Sequence, residues 1–145
     1  MPLGNTLSQS ADYEIRPAVP SLEDFLRLRR ITGLTVYSEE AARAGLAGTI
    51  AAITVSYRNK IVGMGRLVGD GGCVFVISDI AVDPHHQGQG LGKAIMQGLM
   101  SYVHRELKSK AYISIIADVP ADNLYAQFGF ERTAPASLGM SYRVE

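Results

Sequence analysis

A single cysteine, Cys73, leaves no partner for an internal disulfide and no cysteine cluster for a metal. Set beside Gly71-Gly72, it reads as the first residue of a strand, with no histidine that the sequence pairs to it as a nucleophile would need. An excess of either charge is missing too. Lys plus Arg and Asp plus Glu stand at 14 each, so no global field draws the chain to nucleic acid or to an anionic membrane. No apolar run approaches the roughly 20 residues that span a bilayer, and Met1 to Ser10 carry neither the basic start nor the apolar core of a signal peptide. Repeats and low-complexity linkers are absent as well. These absences point to a cytoplasmic protein with a small-molecule partner. A length of 145 residues, 47% hydrophobic and 19% charged, fits one globular domain over residues 11–145 behind a flexible tail at residues 1–10.

Periodicity and punctuation give the order of elements. Tyr13-Glu14-Ile15-Arg16 alternates and is closed by Pro17, as in a short strand. Ser21 caps a helix whose apolar stripe runs through Phe25, Leu28 and Ile31 to Gly33, and Ser38-Glu39-Glu40 opens a second that ends at Gly45 or Gly48. Ile50–Tyr57 and Ile61–Leu67 read as a hairpin around Arg58-Asn59-Lys60, and Cys73–Val82 as the strand after it. A long helix over Leu91–Leu107 follows, then a strand at Tyr112–Ala117 and a short helix over Asp122–Phe128, capped by Asp122-Asn123 and stopped by Gly129. Phe130–Thr133 and Met140–Val144 complete the pattern as two last strands. The order β-α-α-β-β-β-α-β-α-β-β predicts an α+β fold, a mixed sheet of about seven strands with four helices.

The chemistry concentrates where the strand Cys73–Val82 meets the long helix. Gly88, Gly90 and Gly92 fall at the helix start, where unpaired backbone N–H groups and the helix dipole bind an anion, so the turn is suited to phosphate. Spacing separates three readings. A P-loop requires Gly-Lys before Ser or Thr, but Gly92-Lys93 precedes Ala94. A dinucleotide fingerprint requires a third glycine where Lys93 stands. What remains is Gln-x-x-Gly-x-Gly at Gln87, Gly90 and Gly92, following Ala-Val-x-Pro at Ala81, Val82 and Pro84.

On these residues the chain resembles the GNAT family of acyl-coenzyme A-dependent N-acyltransferases. The order of elements is also that family's order, and Asn123–Phe130 resembles its second signature, a tyrosine four residues before Gly-Phe. The resemblance implies that the backbone of Gln87, Gly88, Gln89, Gly90, Leu91, Gly92 and Lys93 cradles the pyrophosphate of acetyl-CoA. It further implies that the strand Ile80-Ala81-Val82 parts from its neighbour so that pantetheine pairs with its edge, with Asn123 as a further contact, and that Tyr125 lies near the thioester sulfur. No metal is expected: His85 and His86 are adjacent on a loop, with no third ligand, and read as exposed or in contact with phosphate.

Amine acyl transfer requires a neutral amine, stabilisation of an oxyanion and a proton for the departing thiolate. By resemblance, the Ile80 N–H is the oxyanion donor and Tyr125 the acid. A phenol pKa of about 10 against about 8.5 for a thiol keeps Tyr125 protonated at neutral pH. The base is the weak link. Where many family members have glutamate this chain has Val76, and where others have histidine it has Ser78, which can hold a water. Asp79 is the nearest carboxylate; alternation puts it on the face opposite Ser78 and Ile80 unless a bulge turns it, and a structural role suits it better than a catalytic one. The acceptor side of the family's fold offers Arg30, Tyr37 and Met140, with Arg29 as a second helical arginine, a mixture suited to a small amine with an apolar part. The expected activity is N-acetylation of a small-molecule, amino-acid or peptide amine by direct attack in a ternary complex. The alternative is a non-catalytic acyl-CoA binding module. A homodimer paired through the last strands is a further expectation of the fold.

Overall fold

Side-chain caps start the first two helices where the sequence predicts. Ser21 Oγ accepts the Asp24 amide at 3.1 Å ahead of α1 (Leu22–Ile31), and Ser38 Oγ accepts the Ala41 amide at 3.1 Å ahead of α2 (Glu39–Ala47). Glu23, Asp24, Glu39 and Glu40 place negative charge at the positive ends of the helix dipoles. The structure, a computed structural model, describes residues 12–145; the flexible tail expected at residues 1–10 lies outside the described residues. The chain divides into two compact units, one running through Ile115 and the other Ile116–Glu145.

The first unit holds one five-stranded sheet in spatial order β1 (Tyr13–Arg16), β2 (Ala51–Tyr57), β3 (Lys60–Gly69), β4 (Val74–Val82) and β5 (Tyr112–Ser114). Neighbours are antiparallel except β5, which lies parallel to β4 after the crossover through α3 (Leu91–Glu106). The β2–β3 turn is tighter than the sequence suggests. Arg58 and Asn59 take φ of 49° and 69°, a two-residue turn whose twist suits a hairpin, and Lys60 already pairs with Tyr57.

Alternation gives the sheet two dressed faces. Met64 and Ala81 pack with Phe25, Leu28 and Ala42 beneath α1 and α2. On the other face, α3 buries Leu91, Ala94, Ile95, Met96 and Leu99. Glycine makes that approach close: a Cβ on Gly98 would stand 2.5 Å from Ile53 Cδ1, and one on Gly65 2.6 Å from Ile95 Cγ2. At about 25 cal/mol per Å² of apolar area, each fully buried leucine, isoleucine or phenylalanine contributes roughly 1.5–3 kcal/mol.

The second unit carries α4 (Asp122–Ala126), closed by Gly129 at φ 92°. Among the described residues the sheet therefore has five strands rather than about seven. Phe130–Thr133 and Met140–Val144 form no strand, and Met140, Tyr142 and Val144 are each 92% exposed. Strand-prone residues express only a local preference; without a neighbouring ladder they do not make a strand. The strand expected at Tyr112–Ala117 ends at Ser114, because its pairing with β4 stops there. Asp122 and Asn123 do not cap α4. The cap position is Ala121, and Asp122 instead accepts hydrogen bonds from Arg132.

Candidate active site

β4 loses its neighbour halfway along. β5 pairs with it only at Val74, Phe75 and Val76, so Ile77–Val82 has no strand on that edge among the described residues. Along the same stretch the β3 register slips: Ser78 stands opposite Arg66 and Ala81 opposite Met64, so Asp79 and Ile80 together face Gly65. Asp79 sits in this bulge at φ 63°. The Asp83 N–H donates to Val62 O at 2.8 Å on the β3 side. Alternation back from Asp83 directs the Ala81 amide to β3 and the amides of Ile80 and Val82 to the open edge.

The open edge leads straight into the glycine turn. Asp83 caps a short 3-10 turn at Pro84–His86 by accepting the His85 amide at 2.9 Å, which, together with the His85 ring, holds its carboxyl below the usual carboxylate range against the effect of burial. Gln87 Nε2 donates to Val82 O at 3.2 Å and ties the turn back to the strand. Gly88 and Gly90 take φ of 76° and 78°, a conformation that costs other residues about 1–2 kcal/mol. Gly90 occupies the cap position of α3 and supplies no side-chain cap. The first intrahelical bond is from the Ala94 N–H to Gly90 O, so the amides of Leu91, Gly92 and Lys93 are free of intrahelical partners. The Leu91 side chain is buried, whereas Gln89 and Lys93 are exposed. An anion placed here would meet several N–H groups and the positive end of a sixteen-residue helix.

Asp79 is not poised as a base. Alternation alone would set it opposite Ser78; the bulge turns it to the face that Ser78 shares with Arg66. Its carboxylate is buried there between two guanidinium groups, Arg29 Nη1 on Oδ1 and Arg66 Nε on Oδ2, the latter at 2.7 Å. Arg66 also donates to Gly45 O at 3.0 Å and Thr49 Oγ1 at 2.8 Å, and Arg29 to Thr35 O. Arg29 stacks on Tyr37 at 4.4 Å, and Phe25 lies within 6 Å of both guanidinium carbons. Arg66 escaped the sequence reading. Its signal was a lone charge inside the apolar run Ile61–Leu67.

Of the acceptor candidates on the first unit, Arg30 is exposed and Tyr37 is 41% exposed over Arg29. Of the two adjacent histidines, His85 is exposed as expected. His86 instead packs inward, hydrogen-bonded to Tyr13 Oη at 2.7 Å and 4.8 Å from the Tyr57 ring. A cavity of about 320 Å³ lined by Val19, Ile53, Leu99 and Tyr102 lies along the C-terminal half of α3, and no motif residue lines it.

Within the second unit, Tyr125 is 8% exposed, and burial followed by the nearby Asp118 charge pushes its phenol pKa up. The hydroxyl thus keeps its proton at neutral pH, as a proton donor must. Asn123 Oδ1 accepts from Arg132 Nη2 at 3.2 Å. Met140 is exposed in a segment without regular structure.

The chain is similar to known proteins in sequence and in fold. Residues 29–138 match the family model described as "Acetyltransferase (GNAT) domain". A crystal structure from methicillin-resistant Staphylococcus aureus, described as a "Protein of Unknown Function" and "Probable Acetyltransferase", is 40% identical with a TM-score of 0.86, covering 91% of this chain and 99% of its own. The "GCN5-related N-acetyltransferase 2, chloroplastic" of Arabidopsis thaliana is 37% identical over 56% of this chain and 31% of its own length. A Glycine max protein named as a histone acetyltransferase is 33% identical over 57% of this chain and 35% of its own. The match thus spans about a third of the length of these two curated relatives.

Proposed function

The chain belongs to the GNAT acetyltransferase family, and from that premise we propose that it transfers an acetyl group from acetyl-CoA to the primary amine of a small molecule, amino acid or peptide. The observation that carries the reading is the continuity of two binding features on one strand-turn-helix. The edge of β4 opens at Ile77, and its free amides run into a turn of left-handed glycines whose following helix has no side-chain cap. A pantetheine amide can pair with such an edge, and a pyrophosphate can accept from the amides between Gln87 and Lys93.

In this reading the neutral amine attacks the thioester carbonyl carbon, forming a C–N bond. The carbonyl oxygen becomes an oxyanion that accepts from the Ile80 N–H. Collapse breaks the C–S bond, Tyr125 protonates the thiolate, and the surplus amine proton leaves through water, which returns one to the Tyr125 phenolate. Val76 has no proton-accepting group, Ser78 can hold that water, and both oxygens of Asp79 are engaged, so the amine must reach the carbonyl already neutral. Arg30, Tyr37 and Met140 are the proposed acceptor contacts, and Asn123 a proposed cofactor contact. A zero net charge favours a small acceptor over a strongly cationic one. No helix among the described residues is long and apolar enough to cross a membrane, and the cytoplasmic location expected from the sequence stays part of the proposal beside a relative named chloroplastic.

The engaged Asp79 and the valine at position 76 favour one competing reading, a module that binds acyl-CoA without turnover. Thiol release from acetyl-CoA against a panel of amines separates the two. Amine-dependent release supports transfer, and release no faster than hydrolysis with every amine supports the binding module.

A further inference from the structure

The Arg29–Asp79–Arg66 cluster takes no part in the proposed transfer, yet it contains the residue that precedes Ile80. Asp79 holds φ 63°, a left-handed conformation that few residues other than glycine, asparagine and aspartate adopt and that persists where the surroundings fix it. Those surroundings are unusually complete. Both carboxylate oxygens are held by guanidinium groups, and each guanidinium is itself fixed to backbone: Arg29 to Thr35 after α1, Arg66 to Gly45 near the end of α2. Arg66 has a second fixed partner in Thr49 Oγ1. From the opposite face the bulge is held by Gly65, where a Cβ would stand 2.6 Å from Ile80 Cδ1.

We propose that Asp79, clamped by Arg29 and Arg66, is a positioning residue for catalysis: it holds the bulge in the conformation that turns the Ile80 N–H to the open edge of β4. The inference rests on the reading of that N–H as the oxyanion donor. A left-handed residue rotates the peptide plane that follows it, and the plane following Asp79 carries the Ile80 N–H. If the carboxylate lets go, the φ of Asp79 relaxes towards the β region, the bulge loses its hold, and the donor swings away from the carbonyl. Because the clamp reaches α1, α2 and the segment between them, the donor's direction is set by the same elements that carry Arg30 and Tyr37.

Charge and geometry predict opposite outcomes for Asp79→Asn. The cluster carries two guanidinium charges and one carboxylate, so the substitution raises its net charge from one positive to two. Through-space electrostatics alone would then favour an oxyanion and raise turnover. Positioning predicts the reverse: a fall in kcat of about 10–100-fold, short of the roughly 10²–10³-fold seen when an oxyanion donor is removed outright, with the Kd for acetyl-CoA changed less than about threefold.

The deciding experiment is isotope-edited infrared spectroscopy of acetyl-CoA labelled with ¹³C at the thioester carbonyl and bound to the full chain, beside steady-state kinetics. The wild type should show a carbonyl band shifted to lower frequency than free acetyl-CoA. In Asp79→Asn, and to a smaller degree in Arg66→Lys, the band should move back towards the free value as kcat falls. Arg66→Lys keeps the charge and loses only the fork, so it stands in if Asp79→Asn fails to fold. A band and kcat unchanged in the folded variants overturn the positioning role while leaving the Ile80 assignment standing. A wild-type band at the free frequency overturns the Ile80 assignment itself, and the inference with it.

Discussion

Replacing Gly65 with alanine tests the register on which the β4 bulge depends. An added Cβ would stand 2.6 Å from Ile80 Cδ1, 2.6 Å from Ile95 Cγ2 and 3.2 Å from Leu99 Cδ1. Two of these approaches are closer than packed carbons tolerate, and overpacking of this kind costs about 1–3 kcal/mol. Alanine also loses less backbone freedom on folding than glycine, a gain of about 0.5–1 kcal/mol that offsets only part of the overlap. The net expectation is a loss of roughly 0.5–2 kcal/mol in urea denaturation followed by circular dichroism, with an unchanged denaturant slope. Ile80→Val removes Cδ1, one of the two atoms nearest the new methyl. Alone it should cost about 0.5–1.5 kcal/mol as a cavity, but in the Gly65→Ala background the methyl fills that space, so the two losses should fall short of additivity by about 1 kcal/mol. Additive losses would mean that Gly65 does not face Ile80, and the two-against-one bulge would have to be abandoned.

Three further outcomes follow from the site. Tyr125→Phe should lower kcat by about 100-fold, within the range of general acid catalysis, while the Kd for acetyl-CoA by calorimetry stays within about threefold; a Kd effect without a kcat effect would remove the acid role. Gly90→Val forces a branched residue to φ 78° and shields the α3 amides, so acetyl-CoA affinity should fall at least tenfold, and unchanged affinity would separate the turn from cofactor binding. Asp83→Ala removes a carboxylate whose pKa is depressed chiefly by the His85 amide. A depressed folded pKa adds stability above the unfolded carboxylate value of about 3.9 and loses it as pH falls through the folded value, so the penalty, about 1 kcal/mol for a lost cap, should be full at pH 7 and shrink below pH 4. A penalty equal at pH 7 and pH 3 in urea melts would contradict the assigned hydrogen bond.

What could be read from the sequence was decided locally. Ser21 and Ser38 cap because their hydroxyls reach an amide within one turn, and the long helix runs over Leu91–Glu106 against an expectation of Leu91–Leu107 because its apolar spacing and glycine start are both local signals. The glycine turn was legible for the same reason. The bulge was not, because it exists only in the register between β3 and β4, and alternation within β4 alone sends Asp79 to the wrong face. Arg66 was missed because a single charge in an apolar strand does not say which buried carboxylate it meets. The last two expected strands do not form: Met140–Val144 alternates as a strand does and Phe130–Thr133 follows a helix-stopping glycine, but pairing depends on a neighbour that no local pattern supplies.

Movement of an acetyl group from acetyl-CoA to an amine on this chain can be followed by an isotope. Incubation with acetyl-CoA carrying a ¹³C-labelled acetyl group and a mixture of primary amines, followed by mass spectrometry of all products, tests it most directly. Labelled N-acetylamine should appear in step with free coenzyme A, and both should be much reduced in Tyr125→Phe. Labelled free acetate alone, with no labelled amine, would contradict the transfer.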